Sequence, residues 1–393
     1  MHYSFYPVIL FITIRQGMGM ITLEYSLYNL IPFIYLNFPN EKDPVYFPIN
    51  TNLEYTWMNN NSLSNYEHCE IQGGTKKIKI SDDEYQVFPC QSEISYANKT
   101  ILPSYNFFVL KNIAYTIEKR EYGCGLSFKF QDEKFSLVHQ LYNNHLIDQK
   151  MFAFQPVMNQ KKGYLHFGGL PSPTDAYKFH GGCSVGTNSS WGCHLKNIKV
   201  GNKNYPFNIN TVFQSSIDNM IESIKFFKLF THEIFKKEVQ EKICVEHKDI
   251  DGKFYLNCAP HAFDGKRNIT FEFESMKISF PILVLFYFNQ GNYFSKFSYD
   301  YKNYTLFDFG FSFFNKFDLS VFDYDDKSIN FYSENILITP IKNYTICKYV
   351  YYFIFTICSL FILIFIYIGV NFNAYLNNMH NKVVFNNKEE VFI

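Results

Sequence analysis

Along most of this chain, polar and apolar residues alternate, or run apolar for four to eight positions. PVYFPI (44–49), TKKIKI (75–80), YNFFVL (105–110), GYLHF (163–167), LKNIKV (195–200), NITFEFE (268–274) and MKISFPILVLFYF (276–288) all do so, with turn residues between them. Alternation sends successive side chains to opposite faces, so these segments predict strands. Two stretches follow a helical period instead. In 136–148, Leu137, Val138, Leu141 and His145 share a face; in 217–242, Ile221, Ile224, Phe227, Phe230 and Ile234 line one side, with Lys and Glu elsewhere. Many strands with few helices predict an all-β protein of two lobes. No fixed-period repeat and no long Pro/Gly/Ser linker divides them.

The ends break the pattern. Residues 349–370, YVYYFIFTICSLFILIFIYIGV, are 22 residues without a charge. At about 1.5 Å per residue they cross a bilayer's hydrocarbon core, and tyrosines at the start suit an interfacial belt. A buried core helix rarely runs so long without polar punctuation. Near the other end, YPVILFITI (6–14) is too short to span and reads as the apolar region of a signal peptide. The expected organisation is a signal peptide over 1–19, lobes over 25–175 and 176–338, a membrane helix over 349–370 and a cytoplasmic tail over 371–393. That is a single-pass type I membrane protein, its ectodomain in the secretory or endosomal lumen or at the cell surface. Lysines flank the apolar run on both sides, so charge does not set the orientation.

Composition removes several classes of function. With 36 basic and 36 acidic residues, nothing favours a nucleic-acid partner or a strongly acidic substrate. The 45 Phe and 31 Tyr are read as core packing or codon bias rather than a binding surface. Nine cysteines form no C-x-x-C pair or zinc-like cluster, and eleven histidines show no H-E-x-x-H, so neither a metal site nor a cofactor is expected. Six N-x-S/T sequons, at Asn60, Asn98, Asn188, Asn268, Asn303 and Asn343, all precede the membrane segment and agree with a lumenal glycoprotein. GCSVG (182–186) matches a nucleophile elbow at Ser184, but that motif needs a helix to follow, and here the chain continues into a strand. Cys124 lies in a Gly-Cys-Gly turn without a His/Asn arrangement to activate it.

In their order, several segments resemble the pepsin-like aspartic proteases over roughly residues 30–335. FPINTNLEYTWM (47–58) is similar to the first active-site segment, and SEISYANKT (92–100) to the flap, with Tyr96 as its tyrosine. YGCGLSF (122–128) resembles the Gly-rich turn beneath the first loop. SLVHQLYNNHLIDQKMFAF, then GYLHFGGL, is similar to the helix, strand and Gly-Gly step between lobes. SSWGCHLKNIKVG opens the second lobe, FQSSIDNMI (213–221) falls at the second active-site loop, and FFNKFDLSVFDYDDKSINFYS resembles the closing strands. The resemblance implies a bilobal pepsin-like fold, a peptide or protein ligand in the cleft, and a Cys244–Cys258 disulfide. Cys69–Cys90 is a plausible first-lobe bridge, and Cys183–Cys193 could pair across a hairpin.

Family members cut with two carboxylates sharing a proton and a water, one from each lobe. The matching positions here are Asn50 and Gln214. A side-chain amide neither titrates near neutral pH nor takes a proton from water, so both catalytic roles are vacant. Supports have eroded too. Asn52 and Ser216 stand where the loops want glycine, Leu53 and Ile217 replace orienting hydroxyls, and the glycine of FGFSFF (309–314) looks displaced. Thr51 and Ser215 keep a hydroxyl. The expectation is a pseudo-protease that grips peptides. The alternatives are an active aspartic endopeptidase using a displaced carboxylate, with Asp218 the candidate, and a glycosylated surface or adhesion protein built on this fold. Asp218 is more simply the N-cap of a helix beginning at Asn219. Asp43 reads as a turn residue before Pro44, and Glu54 lies on the wrong side of Thr51 by strand alternation.

Overall fold

The computed structural model describes residues 19–28, 31–39, 44–53, 55–59, 70–71, 74–80, 83–110, 123–129, 132–157, 160–171, 174–185, 190–217, 220–222, 224–249, 252–265, 268–299, 307–341 and 344–389. It divides into two compact units, 1–341 and 342–393.

A nine-stranded sheet forms the backbone of the first unit. Its order is Phe179–Ser184, Ser328–Ser333, Leu319–Asp323, Met151–Pro156, Lys162–Phe167, Ile21–Tyr28, Ile31–Leu36, Val45–Asn50 and Cys124–Gly125. Met151–Pro156 pairs antiparallel with Leu319–Asp323, so one sheet runs through both sequence halves. A second sheet holds the long hairpin Asp83–Tyr96 and Lys99–Leu110, with Lys76–Ile80 beside it. The second half adds a five-stranded sheet and an eight-stranded sheet that begins with Val212–Gln214, Asp308–Gly310 and Met220–Glu222.

The expected all-β architecture is thus what forms, and the aromatic excess fills its core. Phe213, Phe271, Phe309, Phe322, Phe331 and Trp191 are wholly buried. Phe213 stacks on Phe309 with centroids 5.1 Å apart, and Phe152 on Phe322 at 4.8 Å. Each such ring contributes roughly 2–3 kcal/mol by leaving water.

Local expectations fare unevenly. The first helix is shorter than its periodicity: Ser136 caps Leu137–Asn143, and the chain leaves the helix at Asn144 and His145, the latter at φ 57°. The second is corrected more deeply. Met220–Glu222 is a strand, paired with Phe297–Tyr299 and Asp308, and helix starts only at Ile224. It passes through a π turn, Phe230–Ile234, and resumes at Lys236–Gln240. Residues 276–288 split at Pro281, where Ile282–Leu285 turns before the strand Phe286–Asn289.

In the second unit, Tyr344–Glu389 is one helix. Its stretch Phe353–Leu376 is long and apolar enough to cross a membrane and is not buried by protein. The expected signal peptide, apart from Gly19, lies outside the described residues.

Candidate functional site

Two short parallel pairings carry the expected active-site positions. Val45–Asn50 lies beside Cys124–Gly125, with Asn50 opposite Gly125. Val212–Gln214 lies beside Asp308–Gly310, with Gln214 opposite Gly310. Each half therefore ends a strand in an amide residue facing a glycine. The glycine of FGFSFF is not displaced after all; its register repeats that of the first half. Gly125 is obligatory, since a Cβ there would lie 2.6 Å from the Tyr55 backbone and 2.7 Å from the Leu53 carbonyl.

The residue after each amide locks the two strands together. The Thr51 N–H donates to Ser215 Oγ at 3.0 Å, and the Ser215 N–H donates to Thr51 Oγ1 at 2.9 Å. Each hydroxyl then donates across the junction: Thr51 Oγ1 to the Phe213 carbonyl at 2.7 Å, Ser215 Oγ to the Ile49 carbonyl at 2.5 Å. Both residues are wholly buried. Every donor finds an acceptor, which is what buried polar groups require. The expected pair, Asn50 and Gln214, thus end their strands one residue before this reciprocal lock. Asn50 is buried and its Oδ1 accepts from the Asn52 N–H at 2.9 Å. Asn52, where the family wants glycine, accepts in turn from Ser190 Oγ at 2.6 Å. Leu53 and Ile217 are buried apolar residues.

One acid stands here that the sequence reading did not single out. Gln214 Nε2 donates to Asp308 Oδ2 at 3.2 Å. Asp308 is 4% exposed, and burial pushes its carboxyl up to about 7. Its Oδ1 is buried without a hydrogen-bond partner among the described residues. The available signal was an acid inside the apolar run LFDFGF (306–311). Chemically the assembly offers two amides that do not titrate and one carboxyl that does.

The hairpin expected to act as a flap ends in a two-residue turn, Ala97 and Asn98, at φ 48° and 62°. Its tip is held down. Ser95 exchanges backbone hydrogen bonds with Asn37 at 2.8 and 3.0 Å, and Tyr96 Oη accepts from the Glu24 N–H at 3.0 Å. Cys244–Cys258 and Cys183–Cys193 are disulfides. Cys90 is also disulfide-bonded, while Cys69, its expected partner, lies outside the described residues. Asp218, Asp43 and Glu54 lie outside them too. The Cys124 thiol is buried and pushed up to about 12, far from a nucleophile's range. Ser184 ends a strand whose neighbour Cys183 is tied up in a disulfide.

The profile of the eukaryotic aspartyl protease family matches residues 122–333. No curated protein matches the sequence. Among solved structures, the chain is similar to the aspartic proteinase from Irpex lacteus, with TM-score 0.62 and 11% identity, covering 80% of this chain and 97% of that one. It is similar also to basic 7S globulin from soybean, with TM-score 0.62 and 12% identity, covering 80% and 96%. At such identities the likeness is one of fold.

Proposed function

This chain belongs to the eukaryotic aspartyl protease family, and from that premise we propose that it is a member that holds peptides without cutting them. The observation carrying this reading is the pair of amides, Asn50 and Gln214, each one residue before the Thr51–Ser215 lock. General acid–base hydrolysis of an amide bond needs one group to take a proton from water and another to give one to the leaving nitrogen. Amides do neither. An extended peptide, by contrast, is held by main-chain hydrogen bonds and side-chain pockets, neither of which requires a carboxylate dyad. In the same reading, the apolar helix anchors a glycosylated ectodomain in a membrane as a single-pass type I protein.

The test is turnover. Full-length protein in detergent is expected to leave denatured globin intact between pH 2 and 6, while binding extended peptides in a direct assay. Pepstatin-sensitive cleavage overturns the reading in favour of an endopeptidase with displaced acids. Asp218→Ala then shows whether that residue supplies one, by abolishing the cleavage. Absence of any peptide binding favours a surface protein for which the fold is a platform.

A further inference from the structure

We propose that Asp308 is a specificity-determining residue, an anionic seat at the lobe junction for the ammonium or guanidinium of a basic side chain in a bound peptide. The inference rests on the peptide-binding reading and adds to it the class of side chain held.

Three observations meet on this residue. The first is direction. Phe213 and Phe309 face each other across the parallel pair and stack inside the second-half core. Strand alternation therefore turns their neighbours Gln214 and Asp308 to the opposite face, where Gln214 is partly exposed. The second is an unfilled valence. Oδ2 is held by the Gln214 amide, but Oδ1 is buried with no partner among the described residues. The third is energetic. A carboxylate removed from water without a cation is costly, and truncation of such costs comes only from a partner or a proton. None of the ion pairs among the described residues includes Asp308. Its register partner across the parallel pair is the apolar Val212, and the group on its Oδ2 is the neutral Gln214 amide. Burial is what raises its carboxyl, and no charge among the described residues contributes.

A lysine or arginine arriving beside Gln214 supplies the missing donor and the missing charge together, and holds the carboxyl ionised. Binding of a basic residue should therefore strengthen as pH rises through about 7, the opposite of what a protonated acid serving as donor would give.

The experiment uses full-length protein in detergent micelles and fluorescein-labelled octapeptides of alanine and valine. A single lysine, or the isosteric uncharged norleucine, is stepped through the positions. At one position the lysine peptide is expected to bind at least about tenfold more tightly than its norleucine twin near pH 8. The ratio should shrink near pH 5.5, and Asp308→Asn should bring it close to one at both values. A ratio near one in the unmodified protein at pH 8 overturns the proposal, as does a preference that survives Asp308→Asn. Norleucine peptides that bind with no lysine preference sink this proposal and leave the peptide-binding reading standing. No binding by any peptide sinks both. The wild-type pH dependence needs no variant, so the test holds even should Asp308→Asn fold poorly.

Discussion

Asp308 is flanked in sequence by Phe307 and Phe309, both wholly buried. Its carboxyl sits at about 7 instead of 3.8. As pH rises, the unfolded chain releases this proton first. Stability fully present below about pH 4 is thus lost between about 4 and 7, and the whole cost stands above that window. Asp308→Asn is expected to stabilise the protein near pH 8 by at most on the order of 4 kcal/mol and to change little near pH 4, read from urea midpoints. Equal effects at both values would show that the acid carries no burial penalty. Thr51→Val should act in the other direction at any pH. It strips the acceptor from the Ser215 N–H and the donor from the Phe213 carbonyl, at about 1–3 kcal/mol for each stranded group. Urea unfolding with no change in midpoint would contradict the lock. Asn50, Gln214, Thr51 and Ser215 were legible in the sequence because a motif with changed letters still has its frame. Asp308 was not, because a charge in an apolar run is ordinarily read as a turn or surface position.

At the scale of elements, the flap turn places Ala97 in the left-handed region, where a Cβ is strained. Ala97→Gly is expected to raise stability by about 1 kcal/mol, visible as a higher Tm, and a lower one would argue against this turn. The hairpin Cys244–Lys248 with Phe254–Cys258 is closed by Cys244–Cys258. Converting both cysteines to Ala is expected to cost about 3 kcal/mol in the loop-entropy model, measured by denaturant unfolding without reductant. The strands at 45–50, 162–167 and 195–200 could be read from alternation because each carries its own pattern. The helix over 217–242 was misread at its start because Met220–Glu222 is recruited by partners far away in sequence, Phe297–Tyr299 and Asp308. Periodicity registers which side is apolar, and both a strand edge and a helix face can satisfy Ile221 and Ile224. Pro281 is a plainer case: it has no N–H of its own to give the ladder, and the strand ends there.

Over the whole chain, the fold was legible from the order of segments across some three hundred residues, more than from any single one. The sheet that runs through Met151–Pro156 and Leu319–Asp323 makes the two halves one unit, and the segments at that seam were among those carrying the resemblance. The apolar helix belongs to a separate unit. A chain ending at residue 341 is therefore expected to be released from membranes by alkaline carbonate, while the full chain remains in the pellet. Release of both would remove the anchor from the reading.

Because hydroxyls and main-chain groups at 51 and 215 join the two strand ends, the junction itself uses no side-chain atom of residue 50 or 214. An amide or an acid at those two positions therefore leaves the four bonds of the junction in place. The same independence works in reverse. Aspartates placed at both positions would find the junction intact, but they would also meet Asn52, Ser216 and, beside 214, the buried Asp308 carboxyl, so building a cutting enzyme here takes more than those two changes.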